Sequence, residues 1–405
     1  MKQAPIISNA PAAHQILAQR AADMEQSLRA SYLASLSPAQ EKELRLFTAG
    51  EASKLLGITT GYLRKMHLTN AVPEVHATLR GNRYYSAEAI DQIRGALEKN
   101  AKTPGSYRKG RKGDEPLAVL AVATFKGGAG KTTMAIHTAQ YLALNGYRVL
   151  GIDLDPQASF TSYFGIRPEV DLHDTNTLYD GIKYDDPVPL SACVRETYFH
   201  NLDLIPADLQ LHTFEHETPL WMFEQRQLPE DQRDPFAFYQ RLSVALSDVD
   251  DDYDVVILDC PPSLGFITLC GLCAATGLLI TVVPAMLDVE SLSSFMRMTG
   301  ELLEAIDQNG LSMRWDFQKF VLSRYEPHDG PQMQLAAFLR NLFATDVLRA
   351  EMLKSTAIGD AGLTRQALWE VDRHSMNRQT YDRAMEAITA VGTDVERLIH
   401  AGWGR

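Results

Sequence analysis

A glycine-rich segment constrains the fold of this chain more than any other feature. It reads Lys126-Gly127-Gly128-Ala129-Gly130-Lys131-Thr132-Thr133, after an apolar run and before a helical pattern. Glycines let consecutive backbone amides turn toward one anion, and the helix that follows offers its positive N-terminal end. The segment therefore predicts a loop that cradles a triphosphate, with Lys131 reaching the β and γ oxygens and the Thr132 hydroxyl bound to Mg²⁺.

Apolar runs and helix-length segments alternate along the rest of the chain. The runs are rich in Val, Ile and Leu and lie at 117–124, 147–155, 201–207, 254–262, 277–285 and 317–325. This alternation predicts an α/β fold, a doubly wound and mostly parallel sheet with crossover helices. The stretch from Leu264 to Val283 is uncharged and long enough to cross a membrane. Its glycines, its threonines and the flanking prolines instead favour a buried helix followed by a buried strand.

Three aspartates lie near the carboxyl ends of two of these runs. Asp153 and Asp155 stand in the segment Ile152-Asp153-Leu154-Asp155-Pro156-Gln157, and Asp259 ends the run Val255-Val256-Ile257-Leu258-Asp259. Ligands bind at the carboxyl edge of an open parallel sheet, so these carboxylates are expected beside the phosphate loop. Asp259 is predicted to hold Mg²⁺ there.

Residues 46–100 carry the signals of a winged helix-turn-helix domain. Thr48 and Glu51 form a capping-box pattern at one helix, Thr59 is placed to cap a second, and Ser86 to cap a third. A glycine-centred hairpin with basic and aromatic neighbours stands before the third helix. A protein-binding or purely structural unit is the alternative interpretation.

Basic side chains in this front domain suggest contact with DNA. Arg64 and Lys65 on the second helix are expected to face the major groove. Arg80 and Arg83 on the wing are expected to touch the DNA backbone or the minor groove.

The domain boundaries follow from composition. Residues 1–45 are predicted to form a helical arm, which either serves dimerisation or lies on its own domain. Residues 101–116 combine proline, glycines and basic residues, which predicts a solvated linker. Residues 117–405 then form the α/β domain.

Charge and cysteine content exclude several classes of protein. Residues 1–115 hold 17 Lys and Arg against 11 Asp and Glu, whereas residues 116–405 hold 22 against 40. The basic front suits a polyanion, but the acidic remainder excludes a chain coated all over for nucleic acid. Four cysteines are too few for a disulfide framework, so we expect a reducing cytoplasm. Cys270 and Cys273 are interpreted as buried side chains, with a redox or metal pair as the weaker alternative.

The phosphate loop departs from the ordinary pattern at two positions. That pattern requires glycine where this chain has Phe125, and a second lysine, Lys126, opens the loop. The form KGGxGKT resembles the deviant Walker A motif of the ParA/MinD family of P-loop ATPases. The resemblance implies that Lys126 reaches across a nucleotide-sandwiched dimer to the phosphates of the partner.

The same resemblance assigns roles to further residues. The segment at 152–157 resembles the DxDPQ switch of the family, which implies that Asp155 orients the attacking water and that Asp153 supports Mg²⁺ and the loop. The segment at 320–325 resembles the part of the family that lines the adenine pocket. Ser323 and Arg324 are therefore predicted on the base side of the nucleotide, with a plain strand end as the alternative.

A winged helix-turn-helix ahead of such an ATPase is similar to the type Ia ParA proteins of plasmids and secondary chromosomes. A late element at 355–361 and 368–370 also resembles that group. The resemblance implies binding of ATP, ADP and Mg²⁺, an ATP-dependent homodimer on nonspecific DNA, a ParB-type partner that stimulates hydrolysis, and autorepression at the protein's own operator. It implies a cytoplasmic, nucleoid-associated protein that does not bind a membrane.

Some alternatives remain open from the sequence. One is a transcriptional regulator gated by ATP or ADP that has no role in segregation. A second is a membrane-associated oscillator like MinD, which the C-terminal sequence disfavours because it mixes acids with few large apolar residues. A set of late arginines either contacts DNA phosphates or forms a solvated helix face; it consists of Arg365, Arg373, Arg378 and Arg383.

Overall fold

The computed structural model describes residues 13–35, 42–69, 72–73, 75–77, 82–124, 126–234, 237–308 and 313–405. The chain divides into two compact units, Met1–Glu43 and Leu44–Arg405. In the first unit, Ala13–Ser35 forms helix α1. Leu17 and Met24 on this helix are largely exposed. The predicted arm is thus helical over this range, and its role in dimerisation stays a prediction.

A small antiparallel sheet and short helices form the front of the second unit. They are β1 (Phe47–Thr48), α2 (Ala49–Leu56), α3 (Thr60–Leu68), β2 (His76–Ala77), β3 (Arg83–Tyr85) and α4 (Ala87–Lys99). The strand order is β1-β3-β2. The predicted caps are confirmed: Thr48 and Glu51 form a capping box on α2, Thr59 caps α3, and Ser86 caps α4. Buried apolar side chains from the sheet and the helices share one core.

The rest of the second unit is an α/β domain. Its strands are β4 (Ala118–Ala123), β5 (Val149–Asp153), β6 (Leu202–Ile205), β7 (Val255–Asp259), β8 (Gly277–Val282) and β9 (Phe317–Leu322). Its helices are α5 (Lys131–Leu144), α6 (Ser159–Tyr163), α7 (Pro168–Asp171), α8 (Leu178–Ile182), α9 (Leu211–Gln227), α10 (Arg241–Leu246), α11 (Phe266–Ala274), α12 (Met286–Gln308), α13 (Gly330–Phe343), α14 (Thr356–Leu363) and α15 (Arg378–Gly402). Each strand coincides with a predicted apolar run.

The strands pair in parallel in the order β6-β5-β7-β4-β8-β9. This order confirms the predicted doubly wound parallel sheet. Strand β5, which follows β4 in the chain, lies on one side of β4, and β8, which comes later in the chain, lies on the other side. The carboxyl end of β4 therefore lies where the connections diverge, which is where open α/β sheets bind ligands.

Burial of the strands follows from their composition. All residues of β4, β5, β7 and β8 are buried, as expected for strands that helices cover on both faces. The uncharged stretch from Leu264 to Val283 forms α11 and β8, which confirms the prediction of a buried helix and a buried strand. None of the helices in the described part of the chain is long and apolar enough to span a bilayer.

The segment 101–116 is held to the α/β domain by ion pairs. Lys109 Nζ lies 3.0 Å from Glu396 Oε1, and Arg111 Nη2 lies 3.2 Å from Asp250 Oδ2. Its composition had suggested a linker surrounded by solvent. The ion pairs instead hold the segment along the surface of the domain. Its basic side chains find carboxylates of the acidic domain, a long-range pairing that composition does not reveal. The domain boundary itself stays a prediction.

A buried arginine joins the front of the second unit to the α/β domain. Arg94 on α4 is 2% exposed, and its Nη2 donates to the carbonyl of Leu144 at 2.8 Å and to that of Leu55 at 3.1 Å. Its aliphatic stem packs on Gly146, where an added Cβ would lie 2.6 Å from Arg94 Cδ. Gly146 also has a φ of +88°. Both facts favour glycine at this position, just after the end of α5.

Candidate functional site

The glycine-rich segment forms a turn between β4 and α5. Gly128 and Gly130 have φ values of +77° and +82°, the left-handed conformation that glycine adopts without steric cost. Helix α5 begins directly at Lys131, so its unpaired N–H groups and its positive dipole end face the turn. The predicted context of strand, loop and helix is confirmed.

The Lys131 side chain is buried against the carboxylates at the sheet edge. The residue is 7% exposed. Burial lowers the pKa of its ammonium group, and the nearby carboxylate of Asp259 opposes this shift. A buried cation at the start of α5 gives the loop a fixed positive charge in a region with little water, where it attracts phosphate oxygens strongly.

Asp153 and Asp259 lie side by side at the ends of adjacent strands. The register of β5 and β7 pairs the two residues directly. Both are fully buried, and burial raises the pKa of each carboxyl group. Thr132 Oγ1 donates to Asp259 Oδ2 at 2.7 Å. The second oxygen of Asp259 is buried without a hydrogen-bond partner among the described residues.

These oxygens fit a magnesium ion bound with a nucleotide. The Thr132 hydroxyl and the Asp259 carboxylate are hard oxygen donors of the kind that Mg²⁺ prefers. The unpaired buried oxygen of Asp259 costs free energy unless a cation or water satisfies it. A divalent cation would also offset the repulsion that keeps the two carboxyl groups from ionising together.

Asp153 has a second role that the structure shows directly. Its Oδ2 accepts hydrogen bonds from the N–H and the hydroxyl of Thr161, each at 2.8 Å, and its Oδ1 accepts from the N–H of Asp155 at 3.1 Å. Asp153 therefore holds the loop that carries Asp155. The Asp155 carboxylate accepts from the N–H of Gln157 at 2.9 Å and is only partly buried. It is positioned to act on a group outside the protein core.

Lys126 pairs with a carboxylate of its own chain. Its Nζ lies 2.5 Å from Asp288 Oδ2, and the lysine side chain is 41% exposed. Asp288 stands in the first turn of α12, directly after β8. Sequence reasoning missed Asp288, although its place just beyond an apolar run at the same sheet edge is a signal that could have found it.

Ser323 and Arg324 lie at the phosphate loop itself. Ser323 Oγ donates to the carbonyl of Ala129 at 2.6 Å, and Arg324 Nη1 donates to the carbonyl of Gly128 at 2.9 Å. Their predicted role on the base side of a nucleotide stays a prediction. The structure brings them to the loop because β9 ends at the same edge as β4.

The other predicted residues lie away from this site. Arg64 and Lys65 are exposed on α3, and Arg83 is half-buried on β3. Arg80 lies outside the described residues. These three described side chains belong to the front of the second unit and do not line the phosphate loop.

Cys270, Arg373 and Arg378 have structural contacts. Cys270 is buried, and its Sγ donates to the carbonyl of Phe238 at 3.1 Å, whereas Cys273 is only partly buried. Arg373 forms an exposed ion pair with Asp382, and Arg378 contacts His374. The carboxylate of Asp382 partly neutralises Arg373, which weakens the attraction of this arginine for a polyanion.

The second part of the late element, residues 368–370, packs on α5. His137 of α5 accepts a hydrogen bond from the N–H of Leu368 at 3.1 Å and contacts the carbonyl of Thr133 at 2.7 Å. Burial lowers the pKa of His137 to about 4, so the ring is neutral at the pH of a cell. Arg45 Nε in turn donates to the carbonyl of Trp369 at 2.9 Å. Hydrogen bonds thus connect the phosphate loop, the late element and the front of the unit.

The site combines a parallel sheet in this order with a glycine turn that leads into a helix. It also holds a buried lysine, a threonine and a buried aspartate. Together these features define a P-loop nucleotide-binding protein. Residues 117–312 match the family model described as an AAA domain. A Rhizobium rhizogenes protein named for a role in replication is 44% identical over 409 residues, covering 100% of this chain and 98% of that protein. The chromosome partitioning protein ParA of Caulobacter vibrioides is 33% identical over 246 residues, an alignment that covers 61% of this chain and 84% of that protein. The chain belongs to the ParA/MinD family of P-loop ATPases.

A solved structure supports the fold over nearly the whole chain. A partition protein superposes with a TM-score of 0.60 at 19% identity, covering 91% of this chain and 98% of that protein. At this identity the similarity shows the fold alone.

Proposed function

We propose that this chain is an ATP-dependent partition ATPase of a plasmid or a secondary chromosome. The observation that carries the proposal is the presence of two lysines on one phosphate loop, one buried and one exposed. Lys131 serves the nucleotide of its own chain. Lys126 has the exposure and the length to reach phosphates on a second copy. ATP binding then favours a homodimer because each copy supplies positive charge to the other.

Hydrolysis requires a polarised water and a stabilised leaving group. Asp155 is proposed to orient the water, because its carboxylate is held at the loop edge and partly exposed. Thr132 and Asp259 would hold Mg²⁺, which neutralises charge on the phosphates when it is bound. Asp153 fixes the loop that carries Asp155.

Two kinds of DNA contact accompany this cycle. The ATP-bound dimer is proposed to bind nonspecific DNA through basic residues near the C-terminus. A ParB-type partner then stimulates hydrolysis, and the dimer leaves the DNA. The front of the second unit, with exposed Arg64 and Lys65 on a short helix, is proposed to bind the operator of the protein's own gene. The names of the relatives, which refer to partition and replication, support this reading. The protein is proposed to act in the cytoplasm at the nucleoid.

ATP turnover with and without ligands tests the proposal. We expect slow hydrolysis by the protein alone and a clear rise when DNA and the cognate ParB-type protein are both added, because P-loop ATPases gain most of their rate from supplied charge and positioning. Phosphate release measured under the four combinations of DNA and partner provides the test. A rate that neither addition changes, together with a sharp ATP-independent footprint at one operator, would favour a transcriptional regulator instead.

Removing the carboxylate that holds Lys126 is expected to promote ATP-dependent self-association. In Asp288→Asn the ammonium group of Lys126 loses its ion pair within the chain and is free to meet phosphates of a second copy. A partly exposed ion pair is worth about 0.5–1 kcal/mol, so the ATP concentration for half-maximal dimer should fall about two- to fivefold. Sedimentation velocity across an ATP titration measures this shift.

The matched control is Asp346→Asn, which breaks an ion pair of similar length with Lys319 away from the phosphate loop. It should leave the ATP dependence of association unchanged. Equal behaviour of the two variants would contradict the role assigned to Asp288.

A further inference from the structure

We propose that Ser323 and Arg324 position the phosphate loop by holding two consecutive carbonyl groups of its backbone, an inference that rests on the proposed binding of nucleotide at this loop. Ser323 Oγ lies 2.6 Å from the Ala129 carbonyl oxygen, and Arg324 Nη1 lies 2.9 Å from that of Gly128. The two donors are adjacent in the chain and so are the two acceptors. We call this pair of contacts the carbonyl clamp.

The carbonyl clamp works through the planarity of the peptide bond. In a trans peptide the C=O and the next N–H point in opposite directions. Holding the carbonyl of Gly128 therefore sets the direction of the Ala129 N–H, and holding the carbonyl of Ala129 sets that of the Gly130 N–H. Backbone N–H groups of this kind form the anion cradle of a phosphate loop. The clamp thus turns amides away from Ser323 and Arg324 and toward the opposite side of the loop.

The loop has little intrinsic means of holding this shape. Gly128 and Gly130, on either side of Ala129, lack side chains and populate many backbone conformations when unconstrained. An added Cβ on Gly128 would lie 3.7 Å from Arg324 Nη1, and one on Gly130 would lie 3.7 Å from Ser323 Cβ. The clamp residues therefore pack directly on both flexible positions, and ordering them before ligand binding reduces the entropy lost on binding.

The clamp residues are themselves fixed by the sheet edge. Ser323 is 1% exposed, and its N–H donates to the carbonyl of Val282 at 2.8 Å, which continues the pairing of β9 with β8. The N–H of Tyr325 donates to the carbonyl of Met352 at 3.1 Å. Between these two anchors Arg324 has a φ of +48°, a conformation that costs free energy for a residue with a side chain. The backbone on both sides holds that turn, which directs the guanidinium back to the loop.

Comparing two ligands separates this role from contact with the base. Ser323→Ala and Arg324→Asn each remove one donor, and asparagine tolerates the positive φ of position 324. We expect each variant to bind ATP and inorganic triphosphate more weakly by the same factor, about five- to tenfold, since the loop serves the phosphates of both ligands. Arg324→Lys keeps a cationic donor and should recover part of the loss. Titration calorimetry with the full chain measures all of these affinities.

Arg349→Asn is the control, because Arg349 is an exposed arginine that stands outside the phosphate loop and the clamp. It should bind both ligands as the unaltered protein does, and circular dichroism verifies that every variant is folded. Weaker binding of ATP with unchanged binding of triphosphate would overturn the clamp and support a base-side role. Unchanged binding of both ligands would also overturn it. If the unaltered chain bound neither ligand, the proposed function would fail as well, so the two failures are distinguishable.

Discussion

Replacing Lys131 by alanine is expected to weaken ATP binding by about 100-fold or more. The lysine is 7% exposed and lies at the start of α5, where the loop presents its amides. Truncating one partner of a buried, hydrogen-bonded charge pair costs about 2–5 kcal/mol, and about 2.7 kcal/mol corresponds to a factor of 100. Fluorescence titration with a labelled ATP analogue, followed by competition with ATP, measures the change.

Lys99→Ala is the matched control for this experiment. Lys99 is an exposed lysine at the end of α4, and its loss should leave the affinity unchanged. Circular dichroism of both variants separates lost binding from lost folding. Retention of ATP affinity in a folded Lys131→Ala protein would contradict the assignment of the phosphate loop.

Asp155→Ala is expected to block turnover while ATP still binds. The carboxylate of Asp155 accepts one backbone hydrogen bond at 2.9 Å and is partly exposed, so its loss should disturb the loop little. A group that positions or deprotonates the attacking water typically contributes about 10²–10⁴ to the rate. Turnover should therefore fall at least about 100-fold, with ATP affinity within about threefold of the unaltered value, because the phosphate contacts remain.

Asp174→Ala serves as the control, since Asp174 is an exposed carboxylate outside the site. Single-turnover hydrolysis and equilibrium binding are measured on the same preparations. Equal losses of binding and of turnover in Asp155→Ala would show that this residue serves the nucleotide-bound ground state, against the role proposed here. Asp153→Ala is not a substitute, because Asp153 also holds Thr161 and the loop.

The strands and the phosphate loop could be predicted because their signals are local. The central strands of the parallel sheet are short runs rich in Val, Ile, Leu and Ala, and such runs are buried whichever neighbours they pair with. The loop needs glycine at Gly128 and Gly130 because both residues have a positive φ. Glycines in this spacing can be recognised in the sequence itself. Helix caps at Thr48, Thr59 and Ser86 are equally local.

The partners of side chains could not be predicted in the same way. Asp288 lies far along the chain from Lys126, and only the order of the strands brings α12 beside the loop. The same order places the end of β9 close enough for Ser323 to reach Ala129, a contact that the family pattern does not reveal. Local periodicity carries no information on strand order, so these contacts required the structure.

The buried Arg94 and the half-buried Arg45 set a rule for building chimaeras of this chain. Each donates to a backbone carbonyl in the α/β domain, that of Leu144 or that of Trp369. A graft that exchanges residues 44–100 between relatives would leave these carbonyls without donors unless the new segment carries arginines in register. Residues 44–100 and the docking face formed by the end of α5 and residues 368–371 should therefore be transplanted together, as one inherited block.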